Sequence, residues 1–328
     1  MKCMLIGLGN MGRNHARVLS QLNSIDEVVL VDPNHSELEE IPRIFSKCYS
    51  SLDEALSVFR PDFAVVAVPT KHHFDICEVL INAGINTLVE KPITEDSQSA
   101  IALRDLALKS NVALLPGHIE RYNPAIVYLK KILEDFSLDS VYRIEVLRCS
   151  PFPPRVADVG VAFDLSVHDL DVINYLFAKK INSLYCRSAQ TLHQNHEDGV
   201  MCYINYDDQI DCIMNTNWTS PLKQREMKIY GGWGMLKVDF ISQEVTYFEN
   251  PHHIAVEGTW GWTGISEGQQ IKHNVPKSEP LRNEYDFFLS GIAKGYRFES
   301  EMNSSIDVVK AVEHFYKSIK KKGEVNFE

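Results

Sequence analysis

The chain is poor in the features that mark disulfide scaffolds, membrane proteins and nucleic-acid binders. Its seven cysteines, Cys3, Cys48, Cys77, Cys149, Cys186, Cys202 and Cys212, are odd in number and scattered, and none forms a C-x-x-C. Neither a disulfide framework nor a zinc site is expected from that spacing. No apolar run approaches the roughly 20 residues that a membrane helix needs. The first residues already read as a strand, so no secretory leader is expected and a cytoplasmic location is the default. Positive charge is in deficit: 33 Lys and Arg face 44 Asp and Glu, a formal charge of -11. That balance argues against polyanions, nucleic acid and anionic membranes, as partners. It leaves room for a locally basic site that takes an anionic small molecule. H-E-x-x-H does not occur, so no metal is assigned, and no serine nucleophile is assigned. Internal repeats and low-complexity linkers are also missing.

What is present describes a globular enzyme. The chain has 328 residues, 45% hydrophobic and 23% charged, enough for two domains with separate cores. Its front end is the most informative part. Cys3 to Ile6 is an apolar run, followed by Gly7-Leu8-Gly9-Asn10-Met11-Gly12, a helical stretch from Arg13 to Leu22, and a second apolar run, Val28 to Val31, ending in Asp32. This is strand, G-x-G-x-x-G, helix, strand, acid, the arrangement that binds a dinucleotide. Gly7 permits the tight turn, Gly9 lets the backbone approach a pyrophosphate, and Gly12 lets helix and strand pack closely. Asn10 and Met11 open a helix whose N-terminal N–H groups and dipole suit phosphate. Asp32 can accept from both ribose hydroxyls and would repel a 2′-phosphate, so NAD is the expected cofactor.

Strands and helices keep alternating. Ser51-Leu52-Asp53-Glu54 matches a capping box. Phe63 to Val68 reads as a fully buried strand, and Pro69-Thr70-Lys71-His72-His73 leads into a helix to Ala83 with Gly84 as its stop. Asn86 to Val89 is a strand ending in Glu90-Lys91-Pro92. Thr94 is expected to cap a helix to Lys109, with Val112 to Leu115 as a further strand. The pattern predicts an α/β fold: an N-terminal Rossmann domain, residues 1–117, with a doubly wound parallel sheet. Gly7, Asp32, Pro69, Thr70, Glu90 and Lys91 all fall at strand carboxyl ends, where such sheets bind ligands.

From residue 118 the pattern changes. An amphipathic helix is expected over Ala125 to Asp135. Strands are expected over Val141 to Leu147, Val200 to Tyr206, Ile210 to Asn215, Met227 to Tyr230, Met235 to Phe240 and Val245 to Phe248. Helices are expected over Glu284 to Ile292 and Ser305 to Lys322. This predicts a C-terminal α/β domain, 118–328, with an open, mostly antiparallel sheet. Its chemical centre is Asp164-Leu165-Ser166-Val167-His168-Asp169-Leu170-Asp171. On a helix Asp164 and His168 share a face, and a histidine, with an unperturbed pKa of about 6.5, suits removal of a hydroxyl proton. Taken alone, such a pair is more often a surface ion pair. Asp171 is open between touching substrate and tying down the helix.

Taken together, the glycine fingerprint, the Pro-Thr-x-x-His at Pro69 to His73 and the Glu-Lys-Pro at Glu90 to Pro92 resemble the glucose-fructose oxidoreductase / inositol dehydrogenase / MocA (Gfo/Idh/MocA) family. The resemblance implies that Lys91 lies by the nicotinamide and the substrate, with Glu90, His73, Pro69 and Thr70 on the cofactor side. It also implies that His168 is the base, that Asp164 orients it or binds a second hydroxyl, and that the open sheet forms a homodimer or homotetramer. Gly117-His118-Ile119-Glu120-Arg121-Tyr122-Asn123-Pro124 and Val159 to Leu165 resemble the nucleotide-sugar branch, the UDP-N-acetylglucosamine 3-dehydrogenases, with Tyr122 where that branch carries phenylalanine. A UDP-sugar substrate follows, with Arg121, Tyr122 and Asn123 as contacts and a pyridoxal-phosphate aminotransferase as consumer of the ketone in lipid A synthesis. Arg121 is equally readable as a structural arginine at a helix start. Other readings are a 6-carboxylated UDP sugar, a free polyol such as inositol, and a non-catalytic sugar sensor on the same fold. His118 reads as a buried partner, His72 as solvent-facing, Trp260-Gly261-Trp262 as a surface hairpin rather than a uracil stack, and His252-His253 as a pair with no third ligand.

Overall fold

A computed structural model describes residues 1–34, 44–153, 159–251 and 267–327. In chain order the first elements are β1 (Lys2–Ile6), α1 (Asn10–Leu19), β2 (Glu27–Val31), β3 (Phe45–Tyr49), α2 (Leu52–Val58), β4 (Phe63–Val66), α3 (His73–Asn82), β5 (Asn86–Glu90), α4 (Ser97–Lys109) and β6 (Leu114–Gly117). Then follow α5 (Pro124–Leu133), β7 (Val141–Cys149), α6 (Val167–Phe177), β8 (Ile181–Ala189), β9 (Gly199–Tyr206), β10 (Ile210–Asn217), β11 (Gln224–Gly231), β12 (Gly234–Asp239), β13 (Glu244–Glu249) and β14 (Gln270–His273). The chain closes with α7 (Pro280–Ala293), α8 (Glu299–Lys321) and β15 (Val325–Asn326).

Two compact units result: residues 1–119 with 279–310, and residues 120–278 with 311–328. In the first, six parallel strands lie in the order β3-β2-β1-β4-β5-β6. The order reverses beside β1, which makes the carboxyl ends of β1 and β4 the ligand crevice of a doubly wound sheet. β1 and β4 are buried on both faces, as their continuous apolar runs require. Pro116 is tolerated in β6 because that strand is an edge of the sheet.

The division falls at 119/120, beside the expected boundary at 117/118, and the first unit also takes in residues 279–310. Helix α7 places Leu281, Tyr285 and Phe288 on one face, and all three join the core formed by Cys3, Leu5, Phe63 and Leu88. Phe288 meets Phe63 edge-on with ring centroids 5.6 Å apart. Periodicity identifies the helix, but only the identity of the core it covers assigns it to a unit.

Several local expectations shift. Helix α1 starts at Asn10 and ends at Leu19 rather than spanning Arg13 to Leu22, because Gly9 is its N-cap and Ser20 its C-cap. Strand β3 was not anticipated: in Phe45-Ser46-Lys47-Cys48-Tyr49 only Phe45 is fully buried. The cap of α4 is Asp96, whose Oδ1 accepts from the Ser99 N–H at 2.8 Å, while Thr94 donates to the Asp96 carbonyl. Ser51 does cap α2, accepting from the Glu54 N–H at 3.3 Å.

The second unit carries a nine-stranded mixed sheet in the order β14-β13-β12-β11-β7-β10-β9-β8-β15. Only β7 and β10 pair in parallel; every other neighbouring pair is antiparallel. Burial alternates along β9, β10, β11 and β12, so one face is covered and the other open. On the covered face Cys186 and Cys202, opposite each other in register, form a disulfide that the scattered cysteine spacing does not announce. Among the described residues no helix is long and apolar enough to cross a membrane. Removing the Phe288 ring from the first core (Phe288→Ala) is expected to cost about 3–5 kcal/mol, read as an earlier denaturant midpoint of the Rossmann unit.

Candidate active site

The glycine loop is shaped by what a side chain would strike. Gly7 has a φ of 91°, and a Cβ there would lie 2.5 Å from the Ala67 carbonyl oxygen. A Cβ on Gly12 would collide with the Gly7 carbonyl, so α1 and β1 approach only as glycines. At Gly9, by contrast, a Cβ would meet nothing within 4 Å. The space over that backbone is what a pyrophosphate needs. Gly9 also caps α1 with no side-chain hydrogen bond, which leaves the first-turn N–H groups of Asn10, Met11 and Gly12 suited to an anion.

Asp32 is part of the same cradle. Its Oδ2 accepts from the Leu8 N–H at 2.7 Å and its Oδ1 from the Asn34 N–H at 2.8 Å. Each carboxylate oxygen has a second lone pair, so the acid both fixes the glycine loop and keeps capacity for ribose hydroxyls. The residues present therefore fit NAD.

Lys91 is half-buried at the end of β5 and is followed by a cis bond to Pro92. Its surroundings hold residues that sequence reasoning missed. Glu90 is buried; its Oε1 meets His15 Nε2 at 2.8 Å and its Oε2 accepts from the Lys91 N–H at 3.2 Å. Burial alone would raise the Glu90 carboxyl, but the hydrogen bond from His15 and the positive charge of Lys91 outweigh it and hold the group below the ordinary carboxylate range. His15 in turn meets the Tyr285 hydroxyl at 2.8 Å through Nδ1.

The expected cofactor residue His73 joins two loops of the first unit. It is buried, with Nδ1 2.9 Å from the Pro92 carbonyl and Nε2 3.0 Å from the Val68 carbonyl. It thus ties the loop after β5 to the loop after β4. Burial pulls its pKa down, and the carbonyls and Glu90 push back without restoring it. Pro69 and the half-exposed Thr70 start the single turn before α3, and His72 is exposed as expected. His118 is buried against the Ser305 hydroxyl at 2.9 Å.

In the second unit, Asp164 lies in a turn of π-helix, Ala162–Ser166, that runs directly into α6. Such turns recur at functional sites. Leu165, Ser166, Val167, Asp169, Leu170 and Asp171 are buried, whereas Asp164 and His168 are both half-exposed, so the pair looks out from the anchored side of one helix. Glu197 holds the start of that helix: its backbone carbonyl accepts from the Val161 N–H at 3.0 Å and its carboxylate from the Ala162 N–H at 3.2 Å, with the Tyr316 hydroxyl at 2.8 Å.

The anchoring side is a buried charge network. Arg148 on β7 forms a bidentate pair with Asp169, at 2.7 and 2.8 Å, and a third bond to Glu120 at 3.1 Å. Arg225, opposite Arg148 on β11, reaches the same Glu120 oxygen at 3.3 Å. Burial would strip charge from Arg148, but Asp169 and Glu120 outweigh it and hold the guanidinium charged. Burial also pushes the Asp169 carboxyl up, against the pull of Arg148. Arg225 is pulled down by burial and by Arg148, and Glu120, Asp169 and Asp164 offset only part of this.

This network takes in the residues of the Gly117–Pro124 segment that were expected to contact substrate. The Arg121 guanidinium is buried and clasped by Asp171 at 2.7 and 2.5 Å, with the Tyr175 ring 5.4 Å away. Asn123 caps α5 by accepting from the Ala125 N–H at 3.1 Å and donates to Glu120 and to the Phe240 carbonyl. Tyr122 is buried. All three build the domain. Asp171, left open above, ties down the helix through Arg121. Trp260, Trp262, His252 and His253 lie outside the described residues, and among those described no cluster of His, Cys, Asp and Glu is placed to hold a metal ion. Neutralising one member of the bidentate pair (Asp169→Asn) is expected to cost about 3–5 kcal/mol by leaving Arg148 under-compensated, measured as loss of chemical stability in the second unit.

Comparison with known proteins agrees with this geometry. Residues 1–118 match the model of an oxidoreductase family with an NAD-binding Rossmann fold, and residues 126–237 match the GFO/IDH/MocA C-terminal domain. A UDP-N-acetylglucosamine 3-dehydrogenase of Acidithiobacillus ferrooxidans is 27% identical over 294 residues, covering 89% of each chain. An inositol 2-dehydrogenase of Rhizobium meliloti is 20% identical over 329 residues, covering 98% of each. Among solved structures, levoglucosan dehydrogenase in complex with NADH and levoglucosan superposes with a TM-score of 0.83 at 15% identity, covering 99% of each chain. With a cradle that fits NAD at one end and both of the family's domains matched along its length, the chain belongs to the GFO/IDH/MocA family of NAD-binding oxidoreductases.

Proposed function

We propose that this protein oxidises the 3-hydroxyl of a UDP-N-acetyl amino sugar, UDP-N-acetylglucosamine in the first instance. The observation that carries a catalytic reading is that Asp164 and His168 stay half-exposed on a helical segment whose neighbouring Asp169 is locked in a bidentate ion pair. A base must be held in place yet reach its proton. The choice of a sugar nucleotide rests on the 27% identity to the 3-dehydrogenase across 89% of the chain. The match to inositol dehydrogenases makes a free polyol the second reading.

In this reading His168 takes the hydroxyl proton and Asp164 orients the ring or accepts from a neighbouring hydroxyl. Lys91, beside the Glu90 carboxylate, donates to the reacting oxygen and stabilises its developing charge. The Gly7–Gly12 loop and Asp32 would hold NAD, which would supply the hydride acceptor. The 3-ketone is an acceptor for a pyridoxal-phosphate aminotransferase, which would supply 3-amino sugar nucleotides for lipid A in the cytoplasm.

Lys91→Ala and His168→Ala are expected to bind NADH as the wild type does and to lose at least about a hundredfold in kcat. The assay is NADH absorbance with UDP-N-acetylglucosamine, aminotransferase and glutamate to draw off the ketone. Full activity in both variants would remove the catalytic assignment; NADH growth with inositol but not the UDP sugar would move the substrate to the polyol reading.

The open face of the second sheet supports a homo-oligomer. Tyr185, Met201, Tyr203 and Ile213 are exposed there, and Tyr203 stands opposite Tyr185 on one side and Ile213 on the other. Such a contiguous apolar patch suits a second copy of the chain. Ile213→Glu combined with Tyr185→Glu is expected to reduce the wild-type dimer or tetramer to monomer in sedimentation, and a monomeric wild type would end the proposal.

A further inference from the structure

The first unit buries a chain of three polar groups from three elements: Tyr285 on α7, His15 on α1 and Glu90 at the end of β5. Both links are 2.8 Å, and 270 residues separate His15 from Tyr285 in sequence. Nothing in dinucleotide binding needs such a chain, and an apolar trio would bury at lower cost.

The proton positions follow from chemistry. The Tyr285 phenol is pushed far up by burial, with Cys3, Glu284 and Glu90 adding to it, so it keeps its hydrogen. Glu90 is a carboxylate and an acceptor only. His15 Nε2–H therefore donates to Glu90 Oε1, and the Tyr285 hydroxyl is the partner of His15 Nδ1. The negative charge sits on Glu90, whose other oxygen holds the Lys91 N–H. The groups facing that carboxylate are His15 from α1, His73 from α3, Tyr285 from α7 and Lys91 beside it on the chain.

We propose that Tyr285, His15 and Glu90 form a relay that keeps a fixed negative charge beneath Lys91, with His15 as the positioning residue for the lysine's charge and place. The proposal deepens the dehydrogenase reading above and rests on it for the role of Lys91. A donor to the reacting oxygen works only while it carries its proton, and an anion beside an ammonium favours the charged form. Without the His15 hydrogen bond, burial drives Glu90 toward its neutral acid, and Lys91 loses that support. The lysine then gives up its proton more readily.

The test reads Lys91 directly and needs no substrate. Acetic anhydride acylates neutral amines, so the rate of Lys91 acetylation, followed by mass spectrometry between pH 6 and pH 9, tracks its deprotonated fraction. His15→Leu is expected to raise that rate about tenfold at fixed pH, the equivalent of one pH unit. Tyr285→Phe, which removes only the hydroxyl, is expected to raise it about threefold. His15→Gln returns an N–H to Glu90 and is expected to label within about twofold of wild type. NADH fluorescence checks that each variant is folded, and if His15→Leu does not fold, the Tyr285→Phe and His15→Gln pair decides. Wild-type labelling in Tyr285→Phe and His15→Leu alongside lowered thermal stability would make the trio packing only and overturn the relay, as would an equal rise in all three variants. A shift in labelling with no turnover on any UDP sugar would instead sustain the relay and remove the substrate reading.

Discussion

A guanidinium that is 1% exposed must find its counter-charges inside the protein, because water is no longer there to solvate it, and Arg148 is such a group. Its fork takes both oxygens of Asp169 and one of Glu120. These three residues come from β7, from α6 and from the turn before α5, so one cation sets where a strand, a helix and a loop meet. Arg121 and Asp171 form a second such pair two residues further along α6. Asp169 and Asp171 are both buried and paired, which fixes the setting of the helix, and His168 beside them stays half-exposed.

The Rossmann unit reaches the same end by backbone means. Gly7 and Gly12 allow β1 and α1 to close on each other, and the Asp32 carboxylate pins the Leu8 N–H. At the end of β5 the group beside Lys91 is again an anion, Glu90, held by a hydrogen bond from His15. In both units a half-exposed residue is presented by neighbours whose polar atoms are already engaged. This division of labour explains why α7 returns to the first core: it carries Tyr285, the end of the chain that reaches Glu90, on the same face as the apolar Leu281 and Phe288.

Much of this was legible in the sequence, and the limit is a physical one. Gly7, Gly9, Gly12 and Asp32 announce their roles because a tight phosphate turn has few chemical solutions, all local in sequence. The apolar runs of β1, β4 and β5 announce a parallel sheet covered on both faces for the same reason. Asp164 and His168 were visible as a pair four apart. Their partners were not: Arg148 bonds Asp169 across 21 residues and His15 bonds Tyr285 across 270, and no spacing rule ties residues so distant. Strand β3 and the cap at Asp96 were missed for a different cause, since a strand of mixed polarity and two competing cap residues leave the local signal divided.

The segment from Gly117 to Pro124 shows what a motif can mislead about. Its run of His, Glu, Arg, Tyr and Asn reads as a ligand-binding strip, yet each of those five is buried, with hydrogen bonds to Ser305, Arg148, Asp171 and the Phe240 carbonyl. The segment thereby helps set the charge network that holds α6. Some side chains around that network remain partly exposed. In the second unit Arg225 is one of them: it shares Glu120 with Arg148 and feels the charge of Asp164. A half-exposed cation beside the helix of the proposed base can donate to an oxygen-rich ligand, which Arg121, clasped on both sides by Asp171, cannot do without breaking a buried pair.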